Sequence, residues 1–205
     1  MLSEPTTTIK NIFGQTPAHI AAVIPRTNTI SLMKQLLDCD RTPVDMQDAT
    51  GTTLLQMAAK ADSVTMLDLI MEYEPNLTLQ CNRVALYEAI KLQQVQWAKR
   101  FLYHVIHKGV QDVTSLEDAG DDSVIMSLNC ADFELSRALL EYELGHRLED
   151  ITVHDRPRIE AVLKASTAKI PQVSVELQLQ LRGLNETDNF LTFLRNLLEI
   201  RGLTR

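Results

Sequence analysis

The sequence predicts an all-α fold: a solenoid of about four helix–turn–helix units closed by a C-terminal capping extension. Three observations lead there. The chain repeats itself at intervals of about 30–40 residues, the length of one helix-pair unit in a repeat protein. Its hydrophobic residues, 45% of the total, are aliphatic in the main, with aromatics at 5%; that balance favours helices with aliphatic stripes over a β-sandwich. Seven glycines and seven prolines are too few for a fold built from tight hairpins.

The first unit opens at Gly14-Gln15-Thr16-Pro17-Ala18-His19-Ile20-Ala21-Ala22, and Gly51-Thr52-Thr53-Leu54-Leu55-Gln56-Met57-Ala58-Ala59 repeats it 37 residues on. Each is followed by a second apolar helix, around Leu32–Leu37 and Met66–Met71, displaced by 34 residues. The difference falls in the loop at Pro25-Arg26-Thr27-Asn28. Thr16 can cap the first helix, and Pro17 fits a first turn where its missing N–H has no helical partner. A third unit keeps one offset of 31: Asn82 stands for Gly51, Leu86 for Leu55, Ala89 for Ala58, and Phe101-Leu102 for Ile70-Met71. A fourth keeps one offset of 38, with Gly120 for Asn82, Val124 for Leu86, Ser127 for Ala89, and Leu139-Leu140 for Phe101-Leu102. Separate landmarks that shift by the same amount mark a genuine repeat.

The run Thr16-Pro17-Ala18-His19-Ile20-Ala21 resembles the Thr-Pro-Leu-His-x-Ala signature of the ankyrin repeat. The resemblance implies two antiparallel helices per unit and a hairpin finger between units, for which Val44–Gly51 is suited. The third and fourth units read Val84-Ala85-Leu86-Tyr87 and Asp122-Ser123-Val124-Ile125 at the signature position. They lack the Thr and His that tie neighbouring repeats together, so their joints are expected to be less regular.

Residues 146–205 form the cap. Asp155-Arg156-Pro157-Arg158, followed by Ile159, Val162 and Leu163, reads as a capped short helix. Val173, Val175, Leu177, Leu179 and Leu181 alternate with polar residues, which argues for a strand, as does Pro171; Val173, Leu177, Leu181 and Leu184 also fit a helix, and the balance leans to strand. Residues 187–201 are an amphipathic helix with Phe190, Leu191, Phe193, Leu194, Leu197, Leu198 and Ile200 on a broad face. The expected division is a tail at 1–11, a repeat domain at 12–145, and a cap with a possible docking segment at 146–205.

No residue pattern points to catalysis or to a cofactor. There is no GxGxxG or GxxxxGK loop. His104 and His107 share a helix face, but two nitrogens do not make a metal site. Glu117-Asp118-Ala119-Gly120-Asp121-Asp122 lacks the ligand order of a calcium loop and reads as an acidic finger tip. Trp97 is expected between helices. Cys39, Cys81 and Cys130, odd in number and widely spaced, suit a reducing compartment. The N-terminus lacks a signal-peptide pattern and no apolar run reaches membrane-span length. These features give an intracellular expectation, cytoplasmic and possibly nuclear. A net charge of −7 and a pI near 5.2 disfavour nucleic acid and favour a basic partner surface.

The expected function is therefore non-catalytic protein binding, without membrane or small-molecule substrate. The ankyrin resemblance implies contact through finger tips and the concave face of the first helices. Those positions are Ala49, Thr50, Thr52 and Lys60 in the second unit, and Ile12, Phe13, Gln15 and Val23 in the first, an N-terminal cap folding back being the equal alternative for Ile12 and Phe13. They are Gln80, Cys81, Arg83 and Lys91 in the third, and Asp118, Ala119, Asp121 and Asn129 in the fourth, with Asp122 beside them. Phe190 and Phe193 add an apolar face in the C-terminal helix. The resemblance suggests an adaptor or regulatory subunit, of a protein kinase for instance; the alternative is an IκB-like inhibitor of a Rel-type transcription factor, although no Asp-Ser-Gly-x-x-Ser degradation signal is present.

Overall fold

The computed structural model describes residues 9–24, 26–39, 43–77, 79–110, 123–130, 132–169 and 182–201. The chain divides into two compact units, Met1–Leu116 and Glu117–Arg205.

The first unit holds three helical pairs: α1 (Pro17–Val23) with α2 (Thr27–Leu37), α3 (Leu54–Lys60) with α4 (Val64–Glu72), and α5 (Gln80–Lys91) with α6 (Val95–His107). The first helices pack side by side in the order α1, α3, α5, and the second helices follow as α2, α4, α6. Alanine makes the first layer possible. Ala18, Ala21, Ala22, Ala58, Ala59, Ala85 and Ala89 are all at most 2% exposed, so neighbouring backbones meet with almost no side chain between them. Behind them Leu54, Leu55, Leu86, Ile90, Met33, Met66, Leu67 and Ile70 fill the space between layers, each worth roughly 1.5–3 kcal/mol of apolar burial. Trp97, at the position Met66 holds one repeat earlier, is fully buried and stacks on Phe101 with ring centroids 5.2 Å apart.

Local chemistry sets the helix starts. Thr53 and Gln56 form a reciprocal cap on α3: the Thr53 N–H donates to Gln56 Oε1 at 2.8 Å, and the Gln56 N–H to the Thr53 hydroxyl at 3.4 Å. Ser63 caps α4 by accepting the Met66 N–H at 3.2 Å.

The third repeat departs from expectation. Its register places a finger at 80–83, yet α5 already begins at Gln80, five positions before the counterpart of Leu54. Val84 stands where Thr53 supplies a capping hydroxyl, and Asn82 where Gly51 supplies a positive φ; nothing breaks the helix at either site. Gln80, Cys81 and Arg83 therefore lie in the opening turns of a helix. Asn82, 1% exposed, is a tie instead of a turn. Its amide donates to Asp45 Oδ1 at 2.6 Å and to the Asn76 carbonyl at 2.9 Å, while the Asp45 carboxylate also accepts the Asn76 N–H.

The second unit contains a fourth pair, a short α7 (Ser123–Ser127) with its 3-10 continuation Leu128–Cys130, and α8 (Phe133–Leu144). A 3-10 turn at Leu148–Asp150, α9 (Arg156–Lys169) and α10 (Arg182–Ile200) complete it. Asp132 caps α8, accepting the Leu135 N–H at 2.7 Å, and Gly145 ends it in the left-handed region at φ +75°. The segment after Asp155 forms a helix of 14 residues, longer than the short one expected.

The C-terminal helix forms where the apolar period placed it, but its face is spent within the unit. Phe190, Leu191, Leu194, Leu197 and Leu198 are buried against α8, α9 and the 3-10 segment after α7. Phe190 meets the edge of Phe133 at 5.4 Å, so it is not available to a partner; Phe193, half-buried, lies between Phe133 at 5.8 Å and the Arg137 guanidinium at 5.8 Å. The possible strand at 173–181 lies outside the described residues. Among the described residues the only strand-like pairing is one antiparallel bridge, Gln47 to Thr53.

Two stability measurements check this packing. Gly14 sits at φ +71°, and a Cβ there would lie 2.6 Å from the Ala49 nitrogen; Gly51 has φ +79° but only Gln47 Oε1 at 3.9 Å nearby. Urea unfolding should show Gly14→Ala losing roughly 2–4 kcal/mol and Gly51→Ala about 1–2 kcal/mol. Phe190→Ala should destabilise the second unit by about 3–5 kcal/mol, the cost of emptying a fully buried ring site.

Candidate functional site

The fingers are built by the same device in the first two repeats. Asn11 Oδ1 accepts the N–H groups of Phe13 and Gln15, both at 2.9 Å, and Asp48 Oδ1 accepts those of Thr50 and Thr52 at 2.8 and 3.0 Å. In both, a glycine at positive φ completes the turn, its N–H donating to the Asn11 or Asp48 carbonyl. Burial works against the Asp48 carboxylate, but its hydrogen bonds from Thr50 and Thr52 prevail and hold it below the usual carboxylate range. It is an internal strut of the turn and remains charged at neutral pH.

The fingers also hold each other. The Ala49 N–H donates to the Phe13 carbonyl at 3.0 Å, at the place where Gly14 lets the second finger approach. A buried histidine reinforces the joint. His19 Nδ1 accepts the Thr16 N–H at 3.3 Å and lies 2.9 Å from the Thr16 hydroxyl; Nε2, which then carries the proton, donates to the Met46 carbonyl at 3.2 Å. Burial disfavours the imidazolium and lowers the His19 pKa below its ordinary value, against the pull of Asp48.

This scaffold places the expected contact residues as follows. Ile12, 91% exposed, and Phe13, 60% exposed, form an apolar tip on the first finger. Ala49 and Thr50 are exposed on the second, with Thr52 and Gln15 half-buried at its base and at that of the first. Val23, Lys60 and Lys91 occupy equivalent positions at the ends of α1, α3 and α5, all exposed; the two lysines suit the negative ends of helix dipoles. Gln80 is exposed, Arg83 and Cys81 half-buried, and Asn129 exposed on the 3-10 segment after α7. Asp118, Ala119, Asp121 and Asp122 lie outside the described residues.

Two features escaped the sequence reading. An open groove of about 430 Å³ runs between the second finger and α5, lined by Gln47, Gly51, Gln56, Leu79, Gln80, Cys81 and Val84. The signal for it was the missing glycine and threonine of the third repeat. On the second helices, Asp68 joins α4 to α6: it accepts from Arg100 Nε at 2.7 Å and lies 2.7 Å from His104 Nε2. Burial raises the Asp68 pKa, but those hydrogen bonds outweigh it and the carboxyl sits below its usual range. His104 thus shares a hydrogen bond with Asp68, and His107 stacks on Tyr103 at 5.2 Å.

Among the described residues, no group of three or more His, Cys, Asp or Glu is placed to hold a metal ion, and no helix is long and apolar enough to cross a membrane. The Cys130 thiol is pushed up to about 11 by burial and by Asp132, which leaves it protonated and unreactive at neutral pH.

No family model matches the sequence, and no curated protein matches it. Among solved structures the chain is similar to the ankyrin repeat domain of Bcl-3, described as a unique member of the IkappaB protein family. The TM-score is 0.54 at 17% sequence identity, over 78% of this chain and 73% of that one. The likeness shows an ankyrin-repeat fold.

The histidine joint makes a pH-dependent contribution whose sign is fixed. A histidine with a depressed folded-state pKa takes its proton first in the unfolded chain, so its stabilisation is complete above the ordinary value of 6.5 and is lost as pH falls from there toward the folded-state pKa. His19→Gln copies the second repeat, where Gln56 holds the equivalent position. Thermal unfolding from pH 7.5 to 5.5 should show the parent's first unit losing stability relative to the His19→Gln variant. Parallel pH profiles would show that the imidazole is not held neutral.

Proposed function

We propose that this ankyrin-repeat fold is a protein-interaction module, acting as an adaptor or regulatory subunit and carrying out no catalysis of its own. The observation that supports it best is the first finger. Ile12 and Phe13 are large apolar residues held outward by a hydrogen-bonded Asn11 turn that is itself fastened to the second finger. Burying them on a partner yields roughly 25 cal/mol per Å² before the cost of association, and little is lost in ordering a loop already fixed. Lys60 and Lys91, with Ala49 and Thr50, extend the contact along the fingers and first helices.

The sequence resemblance supports a protein kinase as the regulated partner. The second reading, an IκB-like inhibitor of a Rel-type transcription factor, draws support from the Bcl-3 neighbour at the level of fold. The acidic stretch at 117–122 is proposed to guide a basic partner surface by long-range attraction.

Affinity purification with the parent and with an Ile12→Asp/Phe13→Asp double variant tests the reading. The parent should retain a partner that the variant loses, and its identity as kinase or Rel-type factor separates the two versions. Retention by both moves the contact off the first finger; no specific partner for either removes the interaction reading. With the partner in hand, Asp121→Lys/Asp122→Lys should slow association several-fold at low ionic strength, the difference shrinking as salt is raised. Equal rates at low salt would leave the acidic stretch without a role in capture.

A further inference from the structure

The finger stack is unfinished at its second member, and we infer that the unfinished edge is a slot for a partner peptide, bound as a finger in trans. The inference rests on the interaction reading and gives it a location and a peptide class.

The molecule holds its own template for the contact. Where the first finger meets the second, the Phe13 carbonyl accepts the Ala49 N–H at 3.0 Å. Gly14 is so close to Ala49 that a Cβ on it would fall 2.6 Å from the Ala49 nitrogen and 3.0 Å from the Ala49 Cβ. The counterparts on the second finger are the Thr50 carbonyl and Gly51, one repeat of 37 residues on. The residue that would donate to Thr50 is Gln80, the counterpart of Ala49. It instead opens α5, because Val84 and Asn82 supply neither the cap nor the turn that a third finger needs. The Thr50 carbonyl receives no donor from α5, and a Cβ on Gly51 would meet only Gln47 Oε1 at 3.9 Å.

The space left over is the groove of about 430 Å³ between this finger edge and α5. Its walls define the occupant. Gly51 and the Thr50 carbonyl take a small residue, Gly, Ala or Ser, with a free backbone N–H. Leu79 and Val84 offer an aliphatic side chain a place to rest. Gln47, exposed at the groove, presents an amide that can meet peptide N–H or C=O groups, and among the described residues no charged side chain lines the groove. The slot therefore fits a neutral, extended segment pairing an aliphatic residue with a small one, added to the finger as a strand is added to a sheet edge.

A library of random peptides of about 12 residues displayed on phage, panned on the full chain, supplies the probe. Enriched peptides should share a small residue beside an aliphatic one. A synthetic copy should shield Cys81, a half-buried thiol of the groove wall, from N-ethylmaleimide. N-methylation of the small residue's amide should weaken binding about tenfold, the equivalent of one lost hydrogen bond. Gln80→Trp, with its melting temperature checked against the parent, should block binding by filling the slot. Peptides that bind Gln80→Trp equally well, leave Cys81 alkylation unchanged or tolerate N-methylation overturn the slot, and the interaction reading survives them because they still bind the chain. A library that yields no binder also overturns the slot; the interaction reading is then decided by the purification comparison alone.

Discussion

Everything in the first unit depends on how closely the first helices can approach. Alanine at 18, 21, 22, 58, 59, 85 and 89 lets the α1, α3 and α5 backbones lie against each other, and that spacing fixes the interval between successive fingers. Only at that interval can the Ala49 N–H reach the Phe13 carbonyl, and His19 the Met46 carbonyl. A bulkier residue in the alanine layer would cost core packing. It would also part the fingers, and with them the polar joints that hold the exposed surface in place.

The same dependence explains which parts of the fold were legible in the sequence. The 37-residue register carries over residue by residue where the local chemistry is duplicated: Asn11 to Asp48, Gly14 to Gly51, Thr16 to Thr53, His19 to Gln56. Asn11 and Asp48 accept the same two finger N–H groups, the glycines close the same turn, and the Thr16 and Thr53 N–H groups each bond the side chain three residues on. In the third repeat the apolar register persisted, so Leu86, Ala89, Phe101 and Trp97 were found in the core. The polar signals did not persist, and an apolar register says nothing about where a helix begins. The start at Gln80 follows from the absence of a cap at Val84, and Asn82 reveals its role only once Asp45 and Asn76 are brought to it.

The candidate site was legible to a similar depth. The finger tips and helix ends could be numbered from the register, and the exposure of Phe13, Thr50, Lys60 and Lys91 follows from it. Phe190 was misjudged because periodicity defines an apolar face without naming what covers it; Phe133 and Leu135, some 55 residues earlier in the chain, lie on the helix that receives it. Charge was similarly opaque. Asp45, Asp48, Asp68, Glu141, Glu143 and Asp155 are all engaged in bonds within their own units. These bonds turn their oxygens toward groups within the chain, while every one of these charges still counts in the net −7.

The single tryptophan has a consequence for how such a chain can be observed. Trp97 is the only indole in the sequence, it is wholly enclosed, and it lies in the unit that carries the fingers and the groove. Its emission is thus a built-in optical probe of that unit's interior, with the ring of Phe101 stacked against it. Unit Glu117–Arg205 has no such chromophore. Red shift of the indole band against loss of far-ultraviolet helical signal would resolve the melting of one unit from that of the other in the intact chain, without a label.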